Sequence, residues 1–68
     1  MYYAYILHSE RHPDRRYVGF TRDLKGRLAD HSTGKNPSTQ HGRPWHLTFY
    51  AAFEQKDDAL EFERYLKT

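Results

Sequence analysis

The absence of cysteine is the feature that most constrains how this 68-residue chain can fold. It excludes a disulfide framework and thiolate metal sites, which are the two commonest ways of stabilising very small domains. A chain of this length buries only about 60% of the surface that it exposes when unfolded. Packing, or a partner, must therefore stabilise it, and we expect residues 1–68 to form one domain with a thin core. The lack of cysteine also favours a reducing, cytoplasmic location.

Three short runs of aromatic and β-branched residues predict strands. They cover residues 2–8, 16–20 and 45–54, and aromatic residues make up 16% of the chain. The first two are separated by a turn and predict a hairpin. Because side chains alternate in direction along a strand, Tyr17 and Gly19 share a face of the second strand. The missing side chain of Gly19 is expected to leave room beside Tyr17 for a ligand or another backbone.

Two helices are predicted from capping residues and apolar spacing. The first covers residues 22–33, with Thr21 as N-cap and Gly34 ending it in the left-handed conformation. The second covers residues 58–67, with Asp57 as N-cap. We therefore predict an α+β fold, a small three-stranded and mostly antiparallel sheet flanked by helices, in the order β-β-α-β-α.

The net charge of +2 hides an asymmetry along the chain. Residues 1–43 contain eight Lys and Arg against four Asp and Glu, whereas residues 44–68 contain three against five. This suits a polyanionic partner that meets one carboxylate, for instance through a metal ion. The segment from 35 to 44 lacks periodicity and is predicted to be a mobile basic loop that touches ligands. No run resembles a signal peptide or a membrane span, so no membrane interaction is predicted.

Several polar residues are candidates for chemistry. Arg27 and His31 lie one i,i+4 step apart beside the predicted apolar stripe, so their ends are expected to emerge together at the edge of the core. Tyr5 and Tyr17 are ordinary aromatic core residues unless nearby positive charge lowers a tyrosine pKa from about 10. Glu63 interrupts an apolar helix row. A carboxylate in that position needs a cation or water beside it. The alternatives to a functional role are an ion pair with an arginine at the core margin or an extended side chain that reaches solvent.

Taken in order, these residues resemble the GIY-YIG nuclease superfamily, and most of all its small stand-alone members. The resemblance spans residues 2 to 67. In the first motif Tyr3 and Ala4 replace the Gly and Ile of the family, and Phe20 stands where some members have an activating lysine. The residues that carry it are Tyr3-Ala4-Tyr5, Tyr17-Val18-Gly19, Thr21-Arg22-Asp23-Leu24, Arg27-Leu28, His31, Pro44-Trp45, Ala59-Leu60 and Glu63 to Lys67.

The resemblance implies hydrolysis of DNA phosphodiester bonds with one divalent metal, Mg²⁺ or Mn²⁺, held by Glu63. Tyr5 or Tyr17 would act as general base while the other positions water or phosphate, with Lys25 or Arg16 as alternative activators. Arg27 would stabilise negative charge on the phosphate oxygens. His31 would either assist a tyrosine or bind a phosphate. The residues predicted to bind nucleic acid are Arg16, Arg22, Lys25, Lys35, His41 and Arg43.

The expected substrate is branched or single-stranded DNA in repair or recombination, cut with weak sequence specificity unless a protein partner supplies targeting. The alternative is a nucleic-acid-binding module of the same fold that does not catalyse. Its basis is the basic N-terminal part of the chain together with aromatic residues that stack on bases.

Overall fold

The computed structural model describes residues 1–35 and 39–68, and it confirms the predicted α+β fold. A three-stranded antiparallel sheet in the order β2-β1-β3 carries two helices, and the elements follow one another as β-β-α-β-α. A short 3₁₀ turn precedes the last strand. The bounds are β1 Tyr2–Ser9, β2 Arg16–Thr21, α1 Leu24–Thr33, the 3₁₀ turn Gln40–Gly42, β3 Trp45–Phe53 and α2 Lys56–Lys67.

The central strand β1 pairs with both other strands and fixes which side chains meet. Tyr5 lies opposite Gly19 of β2, and Ile6 lies opposite Val18. Residues that are opposite in an antiparallel pair point to the same face of the sheet. Tyr5, Gly19 and Tyr17 therefore share one face, and Ile6 and Val18 share the other. The strand β2 is an edge strand, so one side of its backbone is not paired within the sheet.

The two helices pack on opposite faces of this sheet. On one face, His31 of α1 forms a hydrogen bond with Tyr5. On the other face, Phe62 of α2 packs against Phe49 and Phe53 of β3, with ring centroids 6.0 and 5.6 Å apart. Phe49 lies opposite a β1 residue that points away from Tyr5. The aromatic runs predicted from the sequence thus form the layers that separate the helices.

Both predicted N-caps are wrong by two residues. Helix α1 begins at Leu24, and the carboxylate of Asp23 caps it by accepting a hydrogen bond from the backbone N–H of Gly26 at 3.1 Å. Thr21 is the last residue of β2, and its Oγ1 accepts from the backbone N–H of Asp23 at 2.9 Å. The Thr21 hydroxyl thus makes the kind of local bond to the backbone that an N-cap makes, but to the residue that caps the helix, which explains the error.

Helix α2 also begins earlier than predicted. Its first residue is Lys56 and its N-cap is Gln55, so Asp57 and Asp58 lie in the first turn. Carboxylates there stabilise the helix through its positive N-terminal end without capping it. As predicted, Gly34 ends α1 in the left-handed conformation, with φ of 80°.

The space above Gly19 is filled by the protein itself. A side chain at that position would collide with the ring and hydroxyl of Tyr5. The space over Gly19 thus holds neither a ligand nor another backbone, the two predicted occupants, but the side chain of Tyr5. The absent side chain lets the Tyr5 hydroxyl reach β2.

The segment before β3 is more regular than the sequence indicates. Residues 36–38 of the predicted mobile loop lie outside the described residues. Of the rest, Thr39 and Gly42 are buried, and the indole N–H of Trp45 donates to the carbonyl of Thr39 at 2.6 Å. The expectation of a loop without regular structure is thus wrong for Gln40–Gly42. In the part of the chain that the structure covers, no helix is long and apolar enough to cross a membrane.

Candidate active site

Three aromatic side chains from β1, β2 and α1 form one cluster. The hydroxyl of Tyr5 and Nε2 of His31 are 3.1 Å apart and form a buried hydrogen bond. The ring of Tyr17 lies 4.9 Å from that of His31 and 6.3 Å from that of Tyr5, measured between centroids. The two tyrosines meet because they share a face of neighbouring strands, and α1 places His31 over both.

The imidazole of His31 is buried and both of its nitrogens are engaged. Nδ1 lies 2.6 Å from Oγ1 of Thr39, and the residue is 1% exposed. The prediction that Arg27 and His31 emerge together is therefore wrong, because only Arg27 is exposed. Burial lowers the pKa of His31 below its usual value, and the charge of Arg27 lowers it further, against a smaller opposing effect of Asp30. The ring is thus neutral at neutral pH.

The phenol of Tyr5 is a much weaker acid than an ordinary tyrosine. Its pKa rises to about 12, first because the group is desolvated and then because Tyr17, Glu63 and Asp30 disfavour a phenolate, while Arg27 favours it. The requirement that a catalytic tyrosine have a lowered pKa is not met by Tyr5. If this phenol is to accept a proton from water, its own proton needs an acceptor.

An open groove of about 570 Å³ runs along the edge strand β2. Tyr17 forms part of its wall from the sheet, and Glu63 faces it from α2. The side chain of Glu63 is only 15% exposed, and its Oε2 is 3.0 Å from Nζ of Lys67 one helical turn later. The expected ion-pair partner, an arginine, is thus replaced by a lysine. The groove is lined by Arg16, Tyr17, Val18, Gly19, Phe20, Leu60, Glu63 and Lys67.

A second groove continues from the first at Phe20 and contains Arg27. It lies between the end of β2 and the first turns of α1. Arg27 and Glu63 therefore occupy adjoining grooves, and the charges of both act on the Tyr5 hydroxyl, with opposite signs. The groove that contains Arg27 is lined by Phe20, Thr21, Arg22, Asp23, Gly26, Arg27 and Asp30.

The donor set around Glu63 fits a hard divalent cation that keeps most of its waters. Within residues 1–35 and 39–68, no group of three or more His, Cys, Asp or Glu is arranged to hold a metal ion. A closed protein site, such as zinc requires, is absent from this part of the chain. Mg²⁺ binds through one or two carboxylates plus substrate phosphate oxygens and water, so a single partly buried carboxylate on a groove wall is sufficient. Lys67 must then leave the carboxylate oxygen that it contacts.

Two of the residues predicted to bind nucleic acid line the grooves, and a third lies in a depression beside them. Arg16 lines the first groove, but its guanidinium also donates to the carbonyl of Leu66 at 3.0 Å and so ties β2 to the end of α2. Arg22 lines the second groove and stacks over the ring of Tyr2 at 5.3 Å. Lys25 lies beside Arg22 in a neighbouring depression.

The other three residues predicted to bind nucleic acid lie in the segment that follows α1. Lys35, His41 and Arg43 are exposed, and none of them lines the two grooves. Arg43 donates from Nε to the carbonyl of Gln40 at 3.2 Å, which orients its guanidinium along the surface. A role for these three in binding therefore requires a ligand that extends beyond the grooves.

Sequence reasoning missed two residues that contact the site. Lys67 was visible in principle, because it follows Glu63 at the i,i+4 spacing that forms ion pairs on helices. Thr39 had no comparable signal. It lies in a segment without periodicity, and its position depends on the hydrogen bond of Trp45 to its carbonyl.

The comparison with known proteins identifies the family. A family model described as the GIY-YIG catalytic domain matches residues 1–68. The chain belongs to the GIY-YIG family. Members of this family are nuclease-type proteins, so the fold and the family together indicate a nuclease domain that binds nucleic acid.

Relatives within the GIY-YIG family cover most of this chain. A UPF0213 protein of Streptococcus pyogenes serotype M5 (strain Manfredo) is 38% identical over 66 residues, which are 96% of this chain and 70% of the relative. A UPF0213 protein of serotype M3 (strain ATCC BAA-595 / MGAS315) is 40% identical over 52 residues, 75% of this chain and 56% of the relative. No solved structure matches the chain.

Proposed function

We propose that residues 1–68 form a metal-dependent endonuclease domain that hydrolyses phosphodiester bonds in DNA. The observation that carries this proposal is the Tyr5–His31 hydrogen bond, whose phenol is close enough to feel the charges of Arg27 and Glu63 from two adjoining grooves. In the proposed site the phosphate lies where the two grooves adjoin, near a proton acceptor, a carboxylate and a guanidinium. Those are the groups that phosphodiester hydrolysis requires.

Tyr5 acts as the general base together with His31. A water molecule loses a proton to the Tyr5 oxygen as it attacks phosphorus, and the phenol proton passes to Nε2 of His31. The bond from phosphorus to the leaving sugar oxygen breaks, and solvent protonates that oxygen. A free phenolate, disfavoured by a pKa of about 12, is never required. Because both ring nitrogens of His31 are engaged within the protein, it assists the tyrosine and does not bind phosphate.

Tyr17 has a different role in this scheme. It is less buried than Tyr5 and forms part of the wall of the groove that contains Glu63. Its hydroxyl is therefore suited to orient the attacking water or to donate to a phosphate oxygen.

Arg27 and Glu63 act on the phosphate. Arg27 is exposed in its groove, where its planar guanidinium stabilises negative charge that grows on the phosphate oxygens. Glu63 would hold one Mg²⁺ or Mn²⁺, which when bound polarises the phosphate and neutralises charge. Lys67 forms an ion pair with the same carboxylate.

The substrate follows from the small size of the site. The grooves offer little surface for reading a long sequence, so we propose cleavage directed by DNA structure, on branched or single-stranded DNA, with Arg16, Arg22 and Lys25 binding phosphates. The exposed residues Lys35 and Arg43 would contact a longer strand. A protein partner would supply further targeting.

Incubation with labelled single-stranded, duplex and branched DNA tests the proposal. We expect cleavage with Mg²⁺ or Mn²⁺ that stops when a chelator is added. The alternative is a nucleic-acid-binding module without catalysis. Binding that weakens with salt, without turnover of any substrate under either metal, supports that alternative and contradicts the endonuclease.

A further inference from the structure

A buried chain of hydrogen bonds runs from the segment before β3 into the site. Thr39 is 1% exposed, its Oγ1 lies 2.6 Å from Nδ1 of His31, and Nε2 of the same ring lies 3.1 Å from the Tyr5 hydroxyl. The Thr39 backbone is fixed independently, because its carbonyl accepts from the indole N–H of Trp45 at 2.6 Å. The hydroxyl of Thr39 is thus held against the histidine by the fold.

A neutral imidazole carries one proton, so this chain has two arrangements. In one, Nδ1–H donates to Thr39 and Nε2 accepts the proton of the Tyr5 hydroxyl. In the other, Thr39 donates to Nδ1 and Nε2–H donates to the Tyr5 oxygen. The arrangement decides whether His31 can take a proton from Tyr5.

The Tyr5 hydroxyl favours the first arrangement. It keeps its proton at neutral pH, and among residues 1–35 and 39–68 its hydrogen-bond partner is Nε2 of His31 alone. In the second arrangement its O–H has no protein acceptor within these residues. A buried donor left without an acceptor costs about 1–3 kcal/mol. In the first arrangement both the phenol O–H and the ring N–H are satisfied.

We propose that Thr39 is a positioning residue of the nuclease site, which holds His31 in the Nδ1–H tautomer so that Nε2 faces Tyr5 as a proton acceptor. The tautomer follows from the hydrogen bonds alone, whereas its use in catalysis rests on the proposed function. When the phenol proton of Tyr5 moves to Nε2, the ring becomes an imidazolium whose Nδ1–H still donates to Thr39. The Thr39 hydroxyl therefore stabilises the positive charge of the imidazolium, whereas the charge of Arg27 destabilises it.

Nitrogen NMR of ¹⁵N-histidine-labelled protein tests the tautomer without any need for activity. The signals of His31 are identified by their loss in His31→Asn, and long-range proton correlations show which ring nitrogen carries the proton. We expect the Nδ1–H form in the wild type and in Thr39→Ser, which keeps the hydroxyl. Thr39→Val cannot accept from Nδ1–H, so each tautomer then leaves one buried donor without an acceptor, and the Nε2–H form should become populated. The Nε2–H form in the wild type, or an unchanged tautomer in Thr39→Val, overturns the proposal.

If Thr39→Val does not fold, the wild type and Thr39→Ser still test the tautomer of His31. The Nδ1–H form in both the wild type and Thr39→Ser supports the proposal, and any other pattern contradicts it.

Cleavage assays then test the role of Thr39 in catalysis. We expect Thr39→Val to slow cleavage by about 10²-fold, the lower end of the range for general acid–base catalysis, and Thr39→Ser to remain within about tenfold of the wild type. Valine and serine variants that are equally active overturn the positioning role.

The tautomer of His31 and the nuclease activity can be refuted separately. A wild type that cleaves no DNA removes the proposed function but leaves the NMR result standing. A wild type that cleaves DNA with His31 in the Nε2–H form removes the role of Thr39 alone.

Discussion

The raised pKa of Tyr5 makes the stability of this protein depend on pH in the alkaline range, and Tyr5→Phe removes that dependence. The pKa of Tyr5 in the folded state is about 12, against 10.0 for an ordinary tyrosine. Because the folded value lies above the unfolded one, the contribution is fully present below pH 10 and is lost as the pH rises to 12. Two pKa units correspond to about 2.7 kcal/mol in total, of which linkage places about 1.3 kcal/mol between pH 9 and pH 11.

Urea unfolding at a series of pH values measures this loss. The free energy of unfolding of the wild type should fall by about 1.3 kcal/mol more than that of Tyr5→Phe between pH 9 and pH 11. Other groups titrate in both proteins, so the difference between the two curves isolates Tyr5. Tyr65→Phe is the matched control, because that ring is 70% exposed, and it should follow the wild type. Parallel curves for wild type and Tyr5→Phe would refute both the buried phenol and the need for a proton acceptor beside it.

Two further predictions concern the residues around the cluster. Gly19→Ala places a methyl group against the rigid, buried ring of Tyr5 and should lower the free energy of unfolding by about 1–3 kcal/mol in urea titrations. Gly26→Ala displaces the exposed capping carboxylate of Asp23, a loss of about 1 kcal/mol, but gains about 1 kcal/mol of helix propensity, so the net change should be less than about 1 kcal/mol. Equal effects would contradict the close packing. Lys67→Met removes the cation that occupies the carboxylate of Glu63, and since such i,i+4 pairs contribute about 0.3–0.5 kcal/mol, the Mn²⁺ concentration for half-maximal cleavage should fall about twofold. A higher Mn²⁺ requirement would show instead that Lys67 contributes to binding.

The element order and the meeting of the two tyrosines were predictable because they depend on local patterns. The strand order was not: the long aromatic run of the third strand suggested that it is central, whereas β1 is the central strand and β3 lies at an edge. Alternation along short strands places Tyr5 and Tyr17 on one face once the hairpin register brings Tyr5 opposite Gly19. To predict the element order, it was enough to recognise the runs of aromatic residues and the turn residues between them.

The remaining errors come from tertiary packing and from competing local hydrogen bonds. Burial of His31 depends on how far α1 lies over the sheet, which helical spacing alone does not specify. The contact of Thr39 with that ring depends on a segment positioned by Trp45. The wrong cap at Thr21 has a local cause, since its hydroxyl bonds the backbone of Asp23 and leaves that residue to cap the helix.

Cleavage by Glu63→Ala is the measurement that tests the central claim most directly. Wild type, Glu63→Ala and the control Glu61→Ala, an exposed carboxylate on the same helix, are compared on the best DNA substrate over a range of Mg²⁺ concentrations. If Glu63 holds the metal at the Tyr5–His31 pair, the wild type and Glu61→Ala should cleave with the same Mg²⁺ dependence, and Glu63→Ala should lose activity at every concentration. Cleavage that persists unchanged in Glu63→Ala would contradict the proposed site.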